Sequence, residues 1–326
     1  MIDSFGRRHV YLRVSVTDRC NLRCGYCMPP EGVVWKPRDE ILRFEEIERL
    51  VRVFAGLGIR KVRLTGGEPT ARPGIVDLAT RLARVAGVET LALTTNGTTL
   101  VSLAAELRHA GVEKLNLSLD SLRRERFARI TGQDLLPAVL AGIDVALRCG
   151  FVPLKINTVV VAGVNDDELL DFVELTREMP INVRFIEIMP SGGRPWSPDF
   201  LVPYSKMIES VRASHALRQV GHTGKTGGVA KDFAVAGYRG WVSFITPLSE
   251  SFCSRCNRLR LTADGHLKTC LFAPPGPSLR DALRAGATDE QLCAKITDAV
   301  SRKPEGHPPF EALDEAADER MHQIGG

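Results

Sequence analysis

Apolar and polar positions along the chain alternate between two periods, and the switches between them lay out its elements. Runs of period two predict strands at residues 11–16, 61–65, 90–94, 114–119, 154–161 and 182–189. Between them apolar residues recur at helical spacing. Ile47, Leu50, Val51 and Phe54 mark a helix over 44–57, and further helices are expected at 75–85, 100–110, 135–149 and 167–178. Gly58, Gly111 and Gly150 follow three of these, where a C-terminal glycine belongs. Regular β–α alternation predicts a parallel sheet with right-handed crossovers. Six units are fewer than the eight of a closed barrel. A six-unit partial barrel and a doubly wound sheet both fit, and the pattern alone does not choose.

Period two also sorts charge. In 11–16, Leu12, Val14 and Val16 face one way and Arg13 and Ser15 the other. In 61–65, Val62 and Leu64 oppose Lys61 and Arg63. Lys155 and Asn157 share a face of the fifth run, and Arg184 lies in the sixth. If helices cover the apolar face, these bases line the interior, where an unpaired charge is costly. Salt bridges to Glu68, Asp120 or Glu187 would explain any one of them. Four strands carrying such residues are better explained by a polyphosphate ligand.

After about residue 191 the pattern changes. A turn-rich stretch at 191–198 reads as a boundary or a loop, dividing a region 1–190 from a region 191–326. Beyond it come a helix near 204–213, a glycine-rich loop at 221–228, strand-like runs to about residue 271, and helices at 279–285 and 289–301. The tail from 303 is polar and ends in Gly325 and Gly326, which composition alone reads as a disordered end.

The 326 residues carry 43 basic and 39 acidic side chains, a balance that gives no support to nucleic acid as the main ligand. No apolar run suits a signal sequence or a membrane span, so a cytoplasmic protein is expected. Eight cysteines in a reducing compartment favour metal or catalysis over disulfides. Cys149 and Cys293 fall in helical stretches and read as core thiols. The other six form two triplets.

Cys20, Cys24 and Cys27 stand in C-N-L-R-C-G-Y-C. Structural zinc takes four ligands, and no fourth Cys or His is near. Three thiolates can instead hold three irons of a four-iron cluster and leave one open, although a partial zinc knuckle has the same spacing. Cys253, Cys256 and Cys270 form the second triplet, and His266 makes zinc an equal competitor there. The run C-N-R-L-R-L-T places Arg258 and Arg260 on one strand face beside it, a clamp suited to phosphate. Thr65-Gly66-Gly67-Glu68-Pro69 follows a strand directly. Its glycines allow close backbone approach to a ligand, and its N–H groups suit a carboxylate. Thr94-Thr95-Asn96-Gly97 and Ser118-Leu119-Asp120 end two further strands, where polar groups face the site in α/β barrels.

Taken together, L-R-V-S-V-T-D-R-C-N-L-R-C-G-Y-C, K-V-R-L-T-G-G-E-P, T-T-N-G, N-L-S-L-D-S-L, R-I-T-G-Q-D, K-I-N-T-V, R-F-I-E-I-M, F-C-S-R-C-N-R-L-R and the terminal Gly-Gly resemble the GTP 3′,8-cyclases of molybdenum-cofactor biosynthesis, a radical SAM family. The resemblance covers nearly the whole chain. It implies a partial (β/α)6 TIM-type barrel with a C-terminal α+β extension carrying a second iron–sulfur cluster. It implies two 4Fe-4S clusters on the two cysteine triplets and S-adenosyl-L-methionine (SAM) against Tyr26, Gly67, Ser118 and Met189. It places GTP against Arg13, Lys61, Arg63, Thr94, Lys155, Arg184, Arg258, Arg260, Gly325 and Gly326. The implied reaction is conversion of GTP to (8S)-3′,8-cyclo-7,8-dihydroguanosine 5′-triphosphate. A 5′-deoxyadenosyl radical takes the C3′ hydrogen, the ribose carbon closes on C8, and Arg258, Arg260 or a nearby cation stabilises or protonates the product radical. A homodimer, an external electron donor and a downstream cyclic pyranopterin monophosphate synthase are implied as partners, with no nucleic acid and no membrane.

Overall fold

The computed structural model describes residues 1–28, 32–190, 197–221, 228–309 and 321–325. Each of the six expected strands forms: β1 Tyr11–Ser15, β2 Lys61–Thr65, β3 Thr90–Thr95, β4 Lys114–Ser118, β5 Leu154–Val160 and β6 Ile181–Glu187. They pair in parallel in chain order. Helices α1 Phe44–Gly56, α2 Ile75–Ala83, α3 Leu100–His109, α5 Leu136–Arg148 and α6 Leu169–Glu178 follow the expected periodicity. Helix α4, Arg124–Thr131, is one that the periodicity does not predict. It buries only Phe127 and Thr131 and is otherwise rich in arginine, so it shows no apolar stripe.

The region after residue 197 contributes strands to both edges of the same sheet. These are β7 Leu217–Val220, β8 Lys231–Val235, β9 Trp241–Ile245, β10 Arg258–Leu261 and β11 Leu267–Lys268. The order is β11-β10-β1-β2-β3-β4-β5-β6-β9-β8-β7. Strand β10 pairs parallel with β1, and β9 parallel with β6. The partial barrel is thus extended by one parallel strand at each edge, and antiparallel β11 and β8-β7 finish the open sheet. The loops expected at 191–198 and 221–228 lie largely outside the described residues, as does most of the segment 303–319. Helices α7 Tyr204–Arg212, α8 Leu279–Arg284, α9 Asp289–Ser301 and α10 Met321–Ile324 complete the fold.

The core follows from the period-two sorting. Leu12, Val14, Val62, Leu64, Leu259 and Leu261 are fully buried on the helix-facing side, with Ile47, Leu50, Val51 and Phe54 of α1 equally buried. Each such side chain contributes about 1.5–3 kcal/mol by leaving water. Glu46 caps α1 at the Arg43 N–H (2.7 Å) and accepts from Arg284 of α8. That second contact ties the C-terminal region back onto the first helix. Among the described residues no single helix is long and apolar enough to cross a membrane.

Candidate active site

The strand faces left over from the core enclose a cavity of about 380 Å³. All six triplet cysteines line it, as do Tyr26, Gly67, Ser118 and Met189, and Arg13, Lys61, Arg63, Thr94, Lys155, Arg184, Arg258 and Arg260. The sheet register explains how they meet. Arg260, Arg13 and Arg63 are direct neighbours on β10, β1 and β2. Two residues back along the strands, Arg258, Tyr11 and Lys61 are neighbours in the same way. Across the barrel Thr94, Asn116 and Lys155 align on β3, β4 and β5, and Ser118, Asn157 and Arg184 on β4, β5 and β6.

Like charges directly opposite one another on adjacent strands repel. The carboxylates that offered the simpler explanation are engaged elsewhere. Glu68 accepts from Thr95 Oγ1 (2.7 Å), the Asn96 N–H (2.7 Å) and the Thr70 hydroxyl and N–H. Asp120 accepts from Tyr26 (2.5 Å) and the Val159 N–H (2.8 Å). Glu187 accepts from the N–H groups of Tyr204, Leu248 and Ser249 and from the Ser249 hydroxyl. Among the described residues none of these three pairs with a cavity cation. Arg13 Nε and Arg184 Nε are buried without a hydrogen-bond partner among the described residues.

The cations that do have contacts use backbone carbonyls, ring faces and the Tyr11 phenol. Arg63 donates to Tyr11 Oη (2.6 Å) and to the Leu93 carbonyl (2.9 Å), and Lys61 lies over the Tyr11 ring. Burial and then Arg184, Lys61 and Arg63 bring the Lys155 ammonium down to about 7. Burial pushes the Tyr11 phenol up, but Arg63, Arg13 and Lys61 outweigh it and bring the group down to about 7. Sequence pattern alone does not single out Tyr11. Its place at the head of a strand whose other polar residues face the cavity is the signal that could have found it.

The first cysteine loop is fixed by backbone contacts. Thr17, Asp18 and Arg19 lie against Gly66 and Gly67 so closely that a Cβ on Gly67 would collide with the carbonyls of Asp18 and Arg19. The Gly67 and Glu68 N–H groups donate to the Thr17 (2.7 Å) and Arg19 (2.8 Å) carbonyls. This corrects the sequence reading. The paired glycines admit the cysteine loop, and these N–H groups are not open to a ligand carboxylate. Tyr26 pins the other side of the loop through Asp120, whose carboxyl burial raises to about 6.

The three thiols of this loop are free and close enough to perturb one another. Burial, with Asp120, Cys27 and Cys20 adding to it, holds the Cys24 thiol well above its ordinary value. At the second triplet burial is opposed by Lys303 and Arg258, and the Cys256 thiol falls to about 7. Among the described residues no three His, Cys, Asp or Glu side chains converge as ligands of a single ion. His266 faces Asp264 (3.3 Å) and does not line the cavity. Zinc with His266 as fourth ligand therefore does not fit. Three free thiols per triplet, all lining one cavity, are the donor set a four-iron cluster would use, since it takes each thiolate on a different iron.

The tail also reaches the site. Gly325 is buried, with φ at +75°, and its carbonyl accepts from Arg260 Nη1 at 2.6 Å. A side chain there would run into Thr65 and Ser15. Gly326 lies outside the described residues.

Residues 14–176 match the Radical SAM superfamily and residues 181–309 match Molybdenum Cofactor Synthesis C. The chain is 47% identical to "GTP 3′,8-cyclase, mitochondrial" of Arabidopsis thaliana, over all of this chain and 83% of that protein. It is 46% identical to the GTP 3′,8-cyclase of Moorella thermoacetica over the full length of both. Streptococcus suis SuiB bound to the precursor peptide SuiA shares the fold at a TM-score of 0.57, with 13% identity over 98% of this chain and 75% of that one. With full-length identity at this level and both family regions present, the chain belongs to the GTP 3′,8-cyclase family of radical SAM enzymes.

Proposed function

We propose that the protein is a radical SAM GTP 3′,8-cyclase that forms (8S)-3′,8-cyclo-7,8-dihydroguanosine 5′-triphosphate at the start of molybdenum-cofactor synthesis. The observation that carries this reading is one cavity lined by two cysteine triplets and by cations with no carboxylate partner among the described residues. Cys20, Cys24 and Cys27 would hold one four-iron cluster, and Cys253, Cys256 and Cys270 the other. When bound, the first cluster with SAM would supply the radical chemistry at C3′, and the second would offer an open iron to the guanine base.

The chain's own residues bind, orient and exclude water. Arg260, Arg13 and Arg63 form a row suited to a triphosphate, whose charge would relieve their mutual repulsion. Lys61, Lys155 and Arg184 extend the cationic wall, and Thr94 adds a hydroxyl. Gly67, Tyr26, Ser118 and Met189 would surround SAM. Arg258 stands over the Phe252 ring beside Cys256, where a fixed cation stabilises developing negative charge. Gly325 accepts from Arg260, so the tail would complete the phosphate end. Holding both reactants in one dry cavity accounts for the protein's share of catalysis.

On this reading residues 1–190 serve SAM and residues 191–326 serve the second cluster. The product passes to a cyclic pyranopterin monophosphate synthase, an external donor supplies electrons, and the working form is a cytoplasmic homodimer. The test is anaerobic turnover of iron-loaded protein with SAM, reductant and GTP deuterated at C3′. Deuterium in 5′-deoxyadenosine is expected. Unlabelled 5′-deoxyadenosine with the label still on GTP would refute the assignment.

A further inference from the structure

We propose that Lys303 is the electrostatic partner of the second cluster, donating to the Cys256 thiolate and raising that cluster's reduction potential. The inference rests on the reading that Cys253, Cys256 and Cys270 hold a cluster. Lys303 follows α9 and is 3% exposed. Its ammonium donates to Cys256 Sγ (3.5 Å) and to the Arg258 carbonyl (2.9 Å). Among the described residues no carboxylate lies within ion-pair distance of it. A buried cation without a counter-charge is costly, and the thiolate is the anion that makes this position tolerable.

Reduction adds negative charge to a cluster, so a cation fixed at a ligand sulfur stabilises the reduced form. At 3% exposure little water screens it. The first triplet is built differently. Cys20 Sγ accepts from the Leu22 N–H (3.4 Å) and Asn96 Nδ2 (3.9 Å), both neutral, and Asp120 lies near Cys24. Arg23 lies close to Cys20 but donates to its backbone carbonyl (2.6 Å), so among the described residues the ammonium-to-thiol contact belongs to the second triplet.

The Lys303 ammonium is not the sole anchor of its segment, since it shares that task with Arg7. Arg7 donates to the Cys253 carbonyl (3.0 Å) and to the carbonyls of Pro304 (2.6 Å) and Glu305 (2.6 Å). Removing the ammonium should leave that clamp intact.

The test uses the full chain carrying Cys20→Ala, Cys24→Ala and Cys27→Ala, so that only the second cluster is loaded. It compares Lys303 with Lys303→Met and Lys303→Arg. Iron content and the EPR signal of the reduced cluster are followed in an anaerobic potentiometric titration. Lys303→Met is expected to keep its iron and to lower the ratio of reduced to oxidised cluster about tenfold at fixed potential, or about 59 mV for one electron. Lys303→Arg should stay near the parent. Iron lost in Lys303→Met but held in Lys303→Arg also supports the charge requirement. An unmoved ratio in Lys303→Met, or iron lost from both variants, overturns the inference. Iron absent from the Lys303 parent would instead refute the cluster assignment itself.

Discussion

Replacing Arg13 with methionine should change stability and binding in opposite directions. Arg13 stands between Arg260 and Arg63 on adjacent strands, and its Nε is buried without a partner among the described residues. At guanidinium separations of about 5–8 Å and an effective dielectric of about 20, each neighbour repels it by roughly 2–3 kcal/mol. Splaying of the long side chains reduces this toward the roughly 0.2–1 kcal/mol of ordinary cross-strand pairs. With two neighbours, Arg13→Met should stabilise the ligand-free protein by about 0.4–2 kcal/mol, a rise of roughly one to three degrees in Tm. The same change removes a charge-assisted phosphate contact of about 1.5–3 kcal/mol, so GTP affinity should fall about 10–150-fold. Scanning calorimetry without ligand and titration calorimetry with GTP measure the two effects. A variant that is less stable without ligand and binds GTP unchanged would make Arg13 a structural residue and refute the reasoning.

GTP affinity should weaken as pH rises from about 6 to about 8, because Lys155 loses its proton and Tyr11 gains a negative charge near 7. Lys155→Met should flatten that dependence in titration calorimetry. Ligand-free stability should move the other way. The unfolded chain keeps the Lys155 proton up to about its ordinary 10.5 while the folded one releases it near 7, so stability rises with pH above 7. Gly325→Ala forces a left-handed residue to carry a Cβ against Thr65, costing about 1–2 kcal/mol. The docked tail should become about 5–30-fold less populated, visible as faster proteolysis of the C-terminus and weaker GTP binding. Cys24→Ala should abolish SAM cleavage, whereas Cys256→Ala should keep uncoupled cleavage and lose cyclisation, both read from 5′-deoxyadenosine and GTP by mass spectrometry.

The barrel strands are legible in the sequence because each sorts cleanly into apolar and polar faces. The same sorting marks Arg13, Lys61, Arg63 and Lys155 as interior residues from period two alone. Strand β10 is legible as a strand but not as the neighbour of β1, since that pairing joins residues far apart in sequence. The cross-strand row of Arg260, Arg13 and Arg63 is hidden for the same reason. Helix α4 carries too few apolar residues to show a period. Spacing misleads at Gly67, because its crowding comes from the Asp18 and Arg19 carbonyls, which spacing does not reveal. Lys303 sits in a polar stretch that looks like solvated tail, and only the fold buries it against Cys256.

The most direct measurement is the identity of the product. Anaerobically reconstituted protein, given reductant, SAM and GTP, should yield 5′-deoxyadenosine in an amount that rises with GTP, together with an isomer of GTP bonded from C3′ to C8. SAM cleavage by iron-loaded protein with GTP recovered unchanged would contradict the central claim.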